Sequence, residues 1–175
     1  MKLRHLFFAC SGVFVMMFSL LLLVVIVFSD EEDGGSGGNL IYGGVSVSQE
    51  VLAHKPMLEK YAREYGIEEY LNVLLAIIQV ESGGTLEDVM QSSESLGLPP
   101  NSLSTEESIK QGCKYFSELL AAAETKGCDL NSVIQSYNYG GGFLDYVAGR
   151  GKKYTFELAE SFARDKSGGK KAFLL

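Results

Sequence analysis

The chain has 175 residues, 46% of them hydrophobic, and carries a formal net charge of −7 at pH 7. This length accommodates one ordinary domain together with a further segment. The acidic balance argues against nucleic acid as a partner, because binding to nucleic acid depends on a basic protein surface.

The first predicted element is an apolar segment that runs from Leu6 to Phe28. Its 23 residues include no charged side chain, and such a length crosses about 30 Å of hydrocarbon as a helix. A cleaved signal peptide is the alternative, but the run exceeds the roughly 7 to 15 residues of a signal core. No small-x-small cleavage site follows it. We therefore expect a retained, single-pass membrane anchor in residues 1–28.

The residues on either side of the anchor predict its orientation. Lys2 and Arg4 precede the apolar segment, and the acidic run Asp30–Asp33 follows it. By the positive-inside rule the short N-terminus is cytoplasmic, and everything after the anchor lies on the extracellular, cell-wall side of the cell membrane. Residues 29–44 also contain six glycines. We expect a flexible linker there, followed by a folded domain in residues 45–175.

The folded domain begins with a predicted helical stretch, "SQEVLAHKPMLEKYAREYG". One stripe at helical spacing contains its apolar residues, namely Val51, Leu58, Tyr61, Ala62 and Tyr65. Pro56 either kinks this helix or begins a second one. His54 is expected to be a solvated surface residue. Because His5 is the only other histidine, we expect no metal site, and no cofactor is implied.

The next stretch, "YLNVLLAIIQVE", is apolar on nearly every side. In a segment of about a dozen residues, that pattern predicts a buried central helix rather than a second membrane span. The remaining elements are expected to surround this helix.

The longest predicted helix is "STEESIKQGCKYFSELLAAAETKG", in which Ser104 and Glu107 form a capping box and Gly127 is the stop. An extracellular pair of cysteines, here Cys113 and Cys128, invites a disulfide interpretation. Fifteen helical residues, however, separate the two Cα atoms by roughly 20 Å, far beyond the ~7 Å limit for a bridge. We expect two free cysteines with structural roles.

Three short helices are predicted in the C-terminal part, in "DLNSVIQSYNYG", "GFLDYVAGRG" and "TFELAESFARDK". Glycine ends the first two, and Thr155 supplies an N-terminal cap to the third. No strand pattern of useful length and no internal repeat is present. The sequence therefore predicts a mainly α fold around one buried helix.

Glu81 ends the apolar helix, one turn beyond Ile77 and Ile78. Desolvation and the negative end of the helix dipole both disfavour a charged carboxyl there, so both are expected to raise its pKa. A carboxylic acid that stays protonated near neutral pH is what a glycosidase uses to protonate a leaving sugar oxygen. The plainer interpretation is a helix-end glutamate solvated by the glycines that follow.

A second acid, Asp88, follows after the glycine-rich turn "SGGTLED". Such a turn can fold Asp88 back toward the helix end and place two carboxyls in different surroundings. Alternatively, Glu87 and Asp88 only solvate a loop. Spacing alone leaves both interpretations open.

Three motifs in order, "QVESGG", "DVMQSS" and "QSYNYGGG", resemble those of the lysozyme-like superfamily that contains goose-type lysozymes and soluble lytic transglycosylases. The resemblance is closer to the membrane-anchored lysozyme-like domain of Gram-positive, CwlT-type cell-wall hydrolases, and it covers about residues 46 to 166. It implies a lysozyme-like fold and cleavage of peptidoglycan glycan strands. A peptidase domain often follows in that family, but the sequence ends at Leu175, so we expect the peptidase half to be absent.

The resemblance also implies roles for individual residues. Glu81 matches the family's general acid, Ser82 its partner, and Asp88 the second acid of the CwlT-type hydrolases. Gln91 is expected to line the glycan groove, and Tyr137 to reach Glu81 with its hydroxyl.

The third motif adds Asn138 as a substrate-binding residue and Gly140 beside it, although both are also typical of a helix end. The transglycosylase motif Gly-Leu-Met-Gln is replaced here by "DVMQ", with Asp88 in place of glycine. Transglycosylases have no residue that activates water, and the substrate's own C6 hydroxyl attacks. With Asp88 as general base, the resemblance favours hydrolysis instead.

The function expected from this resemblance is that of a muramidase, which cuts the β-1,4 bond between N-acetylmuramic acid and N-acetylglucosamine. Lytic transglycosylation with a 1,6-anhydro product is one alternative. A different class is a non-catalytic peptidoglycan-binding module that positions division or secretion machinery. The presence of Glu81 favours the enzyme, because a binding module needs no proton donor there. The sequence implies no particular protein partner.

Overall fold

The computed structural model describes residues 41–42 and 45–167. The predicted anchor, Leu6–Phe28, and nearly all of the predicted linker lie outside the described residues. Within residues 41–42 and 45–167, no helix is both long enough and apolar enough to cross a membrane.

The described chain opens with a short antiparallel hairpin. Strand β1, Ile41–Tyr42, pairs with strand β2, Val45–Ser46, in a register that places Ile41 opposite Ser46 and Tyr42 opposite Val45. The sequence did not predict these strands, because two residues are too few to show an alternating pattern.

The first helical stretch divides into two helices. Helix α1 is Gln49–Ala53, with the Ser48 hydroxyl capping its first turn, and helix α2 is Lys55–Glu64. Pro56 lies in the first turn of α2, where the missing N–H of proline costs nothing. Of the two predicted alternatives, the second helix is therefore correct. The predicted stripe is confirmed for the four residues that are buried, namely Val51, Leu58, Tyr61 and Ala62.

Helix α3, Leu71–Glu81, is the predicted central helix. A single 3₁₀ turn, Glu68–Tyr70, precedes it. All six residues from Val73 to Ile78 are buried, so nearly the whole circumference of α3 contacts other elements, including α1 and α2. The apolar side chains on nearly every side of α3 are therefore buried inside the domain.

Helix α4, Thr105–Lys126, has the predicted capping box between Ser104 and Glu107. It ends at Gly127, whose φ of 70° is the left-handed conformation that favours glycine. Cys113 is buried in α4 and Cys128 lies just beyond its end, and both are free. The prediction of two unpaired cysteines is confirmed.

The predicted short helices are present as α5, Leu130–Tyr139, α6, Gly142–Ala148, and α7, Phe156–Lys166. The Asp129 carboxylate caps α5, and the Thr155 hydroxyl caps α7. The fold is mainly helical, as predicted.

The core has two parts. The larger part surrounds α3 and includes the buried faces of α1, α2, α4 and α5. The smaller part, here called the aromatic cluster, joins α6 and α7 and consists of Phe143, Val147, Ala159 and Phe162. A second 3₁₀ helix, Ser92–Leu96, packs against α4. The C-terminal ends of α3 and α5 and this 3₁₀ helix carry the side chains of the candidate site.

Candidate active site

The end of α3, where Glu81 is the last residue, is held against α1. The Gln79 side-chain carbonyl accepts a hydrogen bond from the Ser48 backbone N–H at 2.8 Å. A Cβ on Gly84 would lie 2.7 Å from the α1 backbone at Glu50, and the φ of Gly84 is 77°. Glycine is therefore required where the chain leaves α3 and passes this close to another backbone.

His54 also contributes to this contact. Its Nε2 lies 2.9 Å from the Gly84 carbonyl oxygen, and the side chain is half-buried. The expectation of a solvated surface histidine was wrong, because the break between α1 and α2 points the ring toward the turn after α3. His54 thereby helps to fix that turn.

Ser82 closes the loop between α3 and the second motif. Its hydroxyl donates to the Val89 carbonyl at 2.7 Å and accepts from the Gly84 N–H at 3.0 Å. The resemblance gave Ser82 a substrate-binding role, which stays a prediction. In the structure its hydroxyl is used inside the loop.

Asp88 is completely buried, with 0% of its surface exposed. One carboxylate oxygen accepts from the Ser108 hydroxyl at 2.6 Å and from the Ser92 N–H at 2.9 Å. The other accepts from the Ser93 N–H at 3.2 Å. Asp88 thus caps the 3₁₀ helix Ser92–Leu96 and joins it to α4, so solvent has no access to the carboxylate that the resemblance assigns to water activation.

Gln91 has a left-handed backbone, with φ at 46°, which is uncommon for a residue with a side chain. Its amide Nε2 donates to the Asp88 carbonyl at 2.8 Å and to Asn101 Oδ1 at 3.0 Å. These bonds fix the side chain at the edge of a cavity that Gln91 helps to line. That this cavity is the glycan groove stays a prediction.

That cavity has a volume of about 330 Å³ and lies between the 3₁₀ helix, α4 and the end of α5. Its lining is mostly polar and aromatic: Gln91, Ser92, Glu94, Ser95, Tyr115, Tyr137, Asn138, Tyr139 and Gly140. Three of the predicted site residues, Gln91, Tyr137 and Asn138, therefore meet in one cavity.

Tyr137 is almost fully buried, and its hydroxyl donates to the Met90 carbonyl at 3.1 Å. Burial, and next to it the charge of Glu81, raise the pKa of Tyr137 well above its usual value. Tyr137 and Glu81 are thus electrostatic neighbours, but the hydrogen bond that the Tyr137 hydroxyl donates goes to the Met90 carbonyl. The contact of this hydroxyl with Glu81, which the resemblance implies, stays a prediction. Gly112 on α4 provides the room, because a Cβ there would lie 2.9 Å from the Tyr137 hydroxyl.

Asn138 presents a donor without an acceptor. Within the described part of the chain, its Nδ2 is buried and has no hydrogen-bond partner, and the residue lines the cavity. Since a buried unpaired amide group costs free energy, a ligand oxygen in this cavity is a favourable partner for it.

The electrostatics of the site centre on Glu81. Burial raises its pKa from 4.5 to about 8, with the charges of Glu94 and then Asp88 acting in the same direction. The desolvation inferred from the apolar helix is therefore confirmed. Glu94 itself has a raised pKa, because of partial burial and then the charge of Asp88. Glu81 holds its proton near neutral pH, as an acid catalyst requires.

The sequence interpretation missed Glu94, Tyr115 and Tyr139. Glu94 directly follows the second motif, which ends at Ser93, so proximity to that motif is a signal for it. Tyr115 and Tyr139 lie on helices in the pattern of packing residues, and no local signal separates a groove-lining aromatic from a core one. The described residues include no group of three or more histidine, cysteine or acidic side chains that could hold a metal.

Comparisons with known proteins show which proteins this chain resembles in sequence. Residues 48–172 match a family model described as lysozyme-like. The bifunctional muramidase/DL-endopeptidase CwlT of Bacillus subtilis is 44% identical over 124 residues, which are 70% of this chain and 37% of CwlT. The uncharacterized membrane protein YocA of the same species is 38% identical over 121 residues, 69% of this chain and 54% of YocA.

A solved structure is also similar. The crystal structure of a protein similar to a lipoprotein of the NLP/P60 family, from Staphylococcus aureus, superimposes with a TM-score of 0.71 at 75% identity. The match covers 72% of this chain and 43% of that one. The chain spans less than two thirds of each of these three relatives. Because the lysozyme-like family model matches well over half of the sequence, the resemblance predicted from the three motifs is confirmed, and the chain belongs to the lysozyme-like family.

Proposed function

We propose that the domain cleaves the glycan strands of peptidoglycan at the β-1,4 bond between N-acetylmuramic acid and N-acetylglucosamine. The observation that carries the proposal is Glu81, an acid at the end of a buried helix whose pKa is raised to about 8 by burial and by neighbouring carboxyls. Membership of the lysozyme-like family supports it, as does the similarity to CwlT, whose name includes muramidase.

In the proposed mechanism Glu81 is the general acid. It donates its proton to the O4 of N-acetylglucosamine as the bond from that oxygen to C1 of N-acetylmuramic acid breaks. The apolar end of α3 keeps the proton on the carboxyl at neutral pH, so the group is ready to donate when the substrate binds.

The cavity is proposed to bind the sugars; Glu81 is not among its lining residues, but Tyr137, whose pKa the charge of Glu81 raises, is. Asn138 Nδ2, a buried donor without a partner in the described residues, is suited to a carbonyl or hydroxyl oxygen of the glycan. The Gln91 amide group is oriented by two hydrogen bonds through its Nε2, which leaves its carbonyl oxygen to accept from a sugar hydroxyl.

Hydrolysis is the proposed outcome, and it requires a group that activates water. The resemblance assigns that role to Asp88, and the burial of Asp88 is the specific observation that favours the alternative, lytic transglycosylation. In that alternative the C6 hydroxyl of the substrate attacks, and the product is a 1,6-anhydro sugar. The non-catalytic module has no comparable support, since it leaves the raised pKa of Glu81 without a use.

We also propose that the domain acts outside the cell, tethered by the apolar segment Leu6–Phe28. The charge asymmetry around that segment supports this placement, and one of the relatives is named a membrane protein. The partners proposed are peptidoglycan strands and, through the anchor, the membrane.

The test is digestion of purified peptidoglycan with the wild-type chain and with Glu81→Gln. Glutamine keeps the size of the side chain but cannot donate the proton, so the cleavage rate should fall by about 10²- to 10⁴-fold. Glu87→Gln, the same change at an exposed position six residues away, serves as the control and should remain active.

Mass spectrometry of the digest identifies the reaction. Hydrolysis yields a reducing muramic acid end, whereas transglycosylation yields a product lighter by one water. Full activity of Glu81→Gln contradicts the proposal, and an anhydro product from the wild-type chain selects the transglycosylase alternative.

A further inference from the structure

A second cavity, with a volume of about 510 Å³, lies between the segment around Tyr70, helix α4 and the start of helix α5. Among the residues that the structure describes, it shares no lining residue with the cavity of the candidate active site. Cavities of several hundred cubic ångström are typical of sites that bind small molecules or short chain segments. The proposed cleavage of the glycan does not use this cavity.

The two cavities lie on opposite sides of α4. Ser117, Leu120 and Glu124 line the second cavity, and their spacing of three and four residues places them on one side of the helix. Tyr115, which lines the first cavity, precedes Ser117 by two residues and therefore projects from the other side. A ligand in the second cavity thus leaves the candidate active site open.

The floor of the second cavity is apolar. Val133 is buried there, and Tyr65 and Tyr70 pack against the main core. The Tyr70 ring meets the buried Phe116 ring edge-on, with the two centroids 5.8 Å apart. Leu130, which also lines the cavity, is 37% exposed. Because apolar groups gain free energy when they leave water, this surface favours a ligand with apolar side chains.

The charged residues of the lining are acidic. Glu69 and Glu124 both line the cavity, and both are exposed. Desolvation raises the pKa of Tyr70, and the charges of Glu69 and then of Glu124 act in the same direction. Among the described lining residues there is no lysine or arginine. The cavity therefore favours a positively charged group, and an ammonium group has enough donors to bond both carboxylates.

A lysine lies beside the second cavity. Lys152 Nζ would be 3.5 Å from a Cβ on Gly127, which precedes the lining residue Cys128. Lys126, which is close in sequence, is paired with Asp145 at 3.2 Å. Lys152 is thus placed to meet a carboxylate of a ligand whose ammonium group contacts the two acids. The cavity and its surroundings suit a short zwitterionic peptide with small apolar side chains.

We infer that the second cavity binds the stem peptide of peptidoglycan in its un-cross-linked form. This inference rests on the proposed function, and it names the part of the polymer that the domain recognises besides the glycan. A stem peptide contains alanines and a diamino acid, whose side-chain ammonium group is lost when its nitrogen forms the amide of a cross-link. The free ammonium group contacts Glu69 and Glu124, the alanine methyl groups contact Tyr70 and Leu130, and the terminal carboxylate faces Lys152.

Binding of the peptide strengthens the hold on the strand without touching the bond that is cut. Peptide and glycan belong to one polymer, so a contact in either cavity raises the effective concentration of the polymer at the other. The domain therefore prefers strands that carry free stem peptides to strands that are fully cross-linked.

Calorimetric titration of the full chain tests the inference. The probe is the pentapeptide Ala-D-γ-Glu-Lys-D-Ala-D-Ala, compared with the same peptide acetylated on the lysine side chain. The acetylated form should bind at least about tenfold more weakly, because it has lost its charge-assisted hydrogen bonds. The double variant Glu69→Gln/Glu124→Gln, at two exposed positions, should bind the free form equally weakly. Glu118→Gln, at an exposed position of α4 outside the lining, should bind like the wild type.

Three results of the titration overturn the inference: the pentapeptide does not bind, the acetylated form binds equally well, or the double variant binds like the wild type. A peptide of the same composition but with only L-residues and ordinary α-linkages is a further arm. If it binds as well as the pentapeptide, the cavity takes basic peptides in general, and the assignment to the stem peptide is wrong.

Digestion of peptidoglycan supplies a second readout. Removing the stem peptides with an amidase should raise the KM of the wild-type chain for the strands, and in the double variant the difference between the two substrates should disappear. A difference that persists in the double variant counts against the inference. A wild-type chain that cuts neither substrate contradicts the proposed function itself, while the titration, which requires no cleavage, still decides whether the stem peptide binds.

Discussion

Two buried regions flank the cavity of the candidate site. One consists of hydrogen-bonded polar side chains, and the other consists of apolar and aromatic side chains. The polar loop, residues 82–93, buries Asp88, Ser92 and Ser93 to 2% exposure or less. Asp88 and Ser92 are hydrogen-bonded to a buried serine of α4, Ser108, and the Ser93 N–H donates to Asp88. The aromatic cluster of α6 and α7 is held by ring contacts, such as that between Phe143 and Phe162, whose centroids are 5.2 Å apart.

The difference lies in how each region specifies position. Apolar contacts are non-directional, so the aromatic cluster stabilises the fold without fixing the orientation of any one group. Hydrogen bonds to buried polar groups have defined distances and angles, and a missing partner leaves a desolvated group unpaired. We infer that the aromatic cluster mainly supplies stability, whereas the polar loop mainly supplies the geometry of the site.

The largest expected effect on stability is that of Phe143→Ala in the aromatic cluster. Phe143 is fully buried, and truncation of a buried phenylalanine typically costs about 3–5 kcal/mol. The activity of the molecules that remain folded should change little, because no group of the polar loop is removed. Denaturant unfolding followed by circular dichroism measures the first quantity, and the rate per folded molecule measures the second.

The control for this variant is Phe156→Ala at a 38%-exposed position on α7, where a surface change is expected to stay within about 0.5 kcal/mol. If Phe143→Ala abolishes the activity of the folded fraction while leaving stability unchanged, the division between the two regions is wrong.

A smaller loss of stability with a larger loss of activity is expected for Ser108→Ala. This change removes the donor to Asp88 at 2.6 Å and the acceptor for the Met90 N–H at 3.0 Å. An unsatisfied buried group costs about 1–3 kcal/mol, and the loop that carries the candidate residues loses two of its hydrogen bonds to α4 while the bond from the Ser92 hydroxyl to the Ser108 carbonyl remains. We expect the rate per folded molecule to fall at least about tenfold, which corresponds to ~1.4 kcal/mol of lost transition-state stabilisation.

Ser117→Ala is the matched control, since it makes the same change at a partly buried position of the same helix, where the hydroxyl donates to the Lys114 carbonyl in a solvent-exposed hydrogen bond. If Ser108→Ala is less stable than the wild type but has the same rate per folded molecule, the polar loop contributes to stability and not to the geometry of the site.

The difference between apolar packing and polar hydrogen bonding also explains which parts of the structure the sequence could predict. The helices of the apolar core follow from periodicity and caps: α3 from its uninterrupted aliphatic run, α4 from Ser104, Glu107 and Gly127, and α7 from Thr155. These signals are local, and the structure confirms them.

The polar loop could not be predicted in this way, because the bonds that attach it to α4 and α5 join residues that are distant in sequence. Asp88 and Ser108 are 20 residues apart, and Tyr137 and Met90 are 47 apart. The motifs predict site roles for Glu81, Gln91, Tyr137 and Asn138, but nothing local reveals that Asp88 is buried and that Glu94 lines the cavity of the candidate site. The hydrogen-bond partners, rather than the residue types, decide which acid meets solvent.

The smallest expected effect is on the pH dependence of the free energy of unfolding, to which the raised pKa of Glu81 contributes. Its pKa is raised to about 8 in the folded chain, whereas an unfolded glutamate titrates near 4.3. Between these values the unfolded state releases the proton while the folded state keeps it, so the contribution of Glu81 to the stability of the wild-type chain falls as pH rises. Glu81→Gln has no such proton. As pH rises, the free energy of unfolding of this variant should therefore increase relative to that of the wild type, by at most about 1.4 kcal/mol per pH unit.

Urea unfolding of both proteins at pH 5.5 and 6.5 measures this difference directly. The gap between them should widen over that interval and be constant below about pH 4, where the carboxyl is protonated in both states. Titrating groups shared by the two proteins cancel in the comparison, so the change in the gap belongs to Glu81 and to the groups coupled to it. If the difference in the free energy of unfolding between the two proteins stays constant from pH 5 to 8, Glu81 ionises normally in the folded chain. It then cannot be the general acid, because it would have lost its proton at neutral pH.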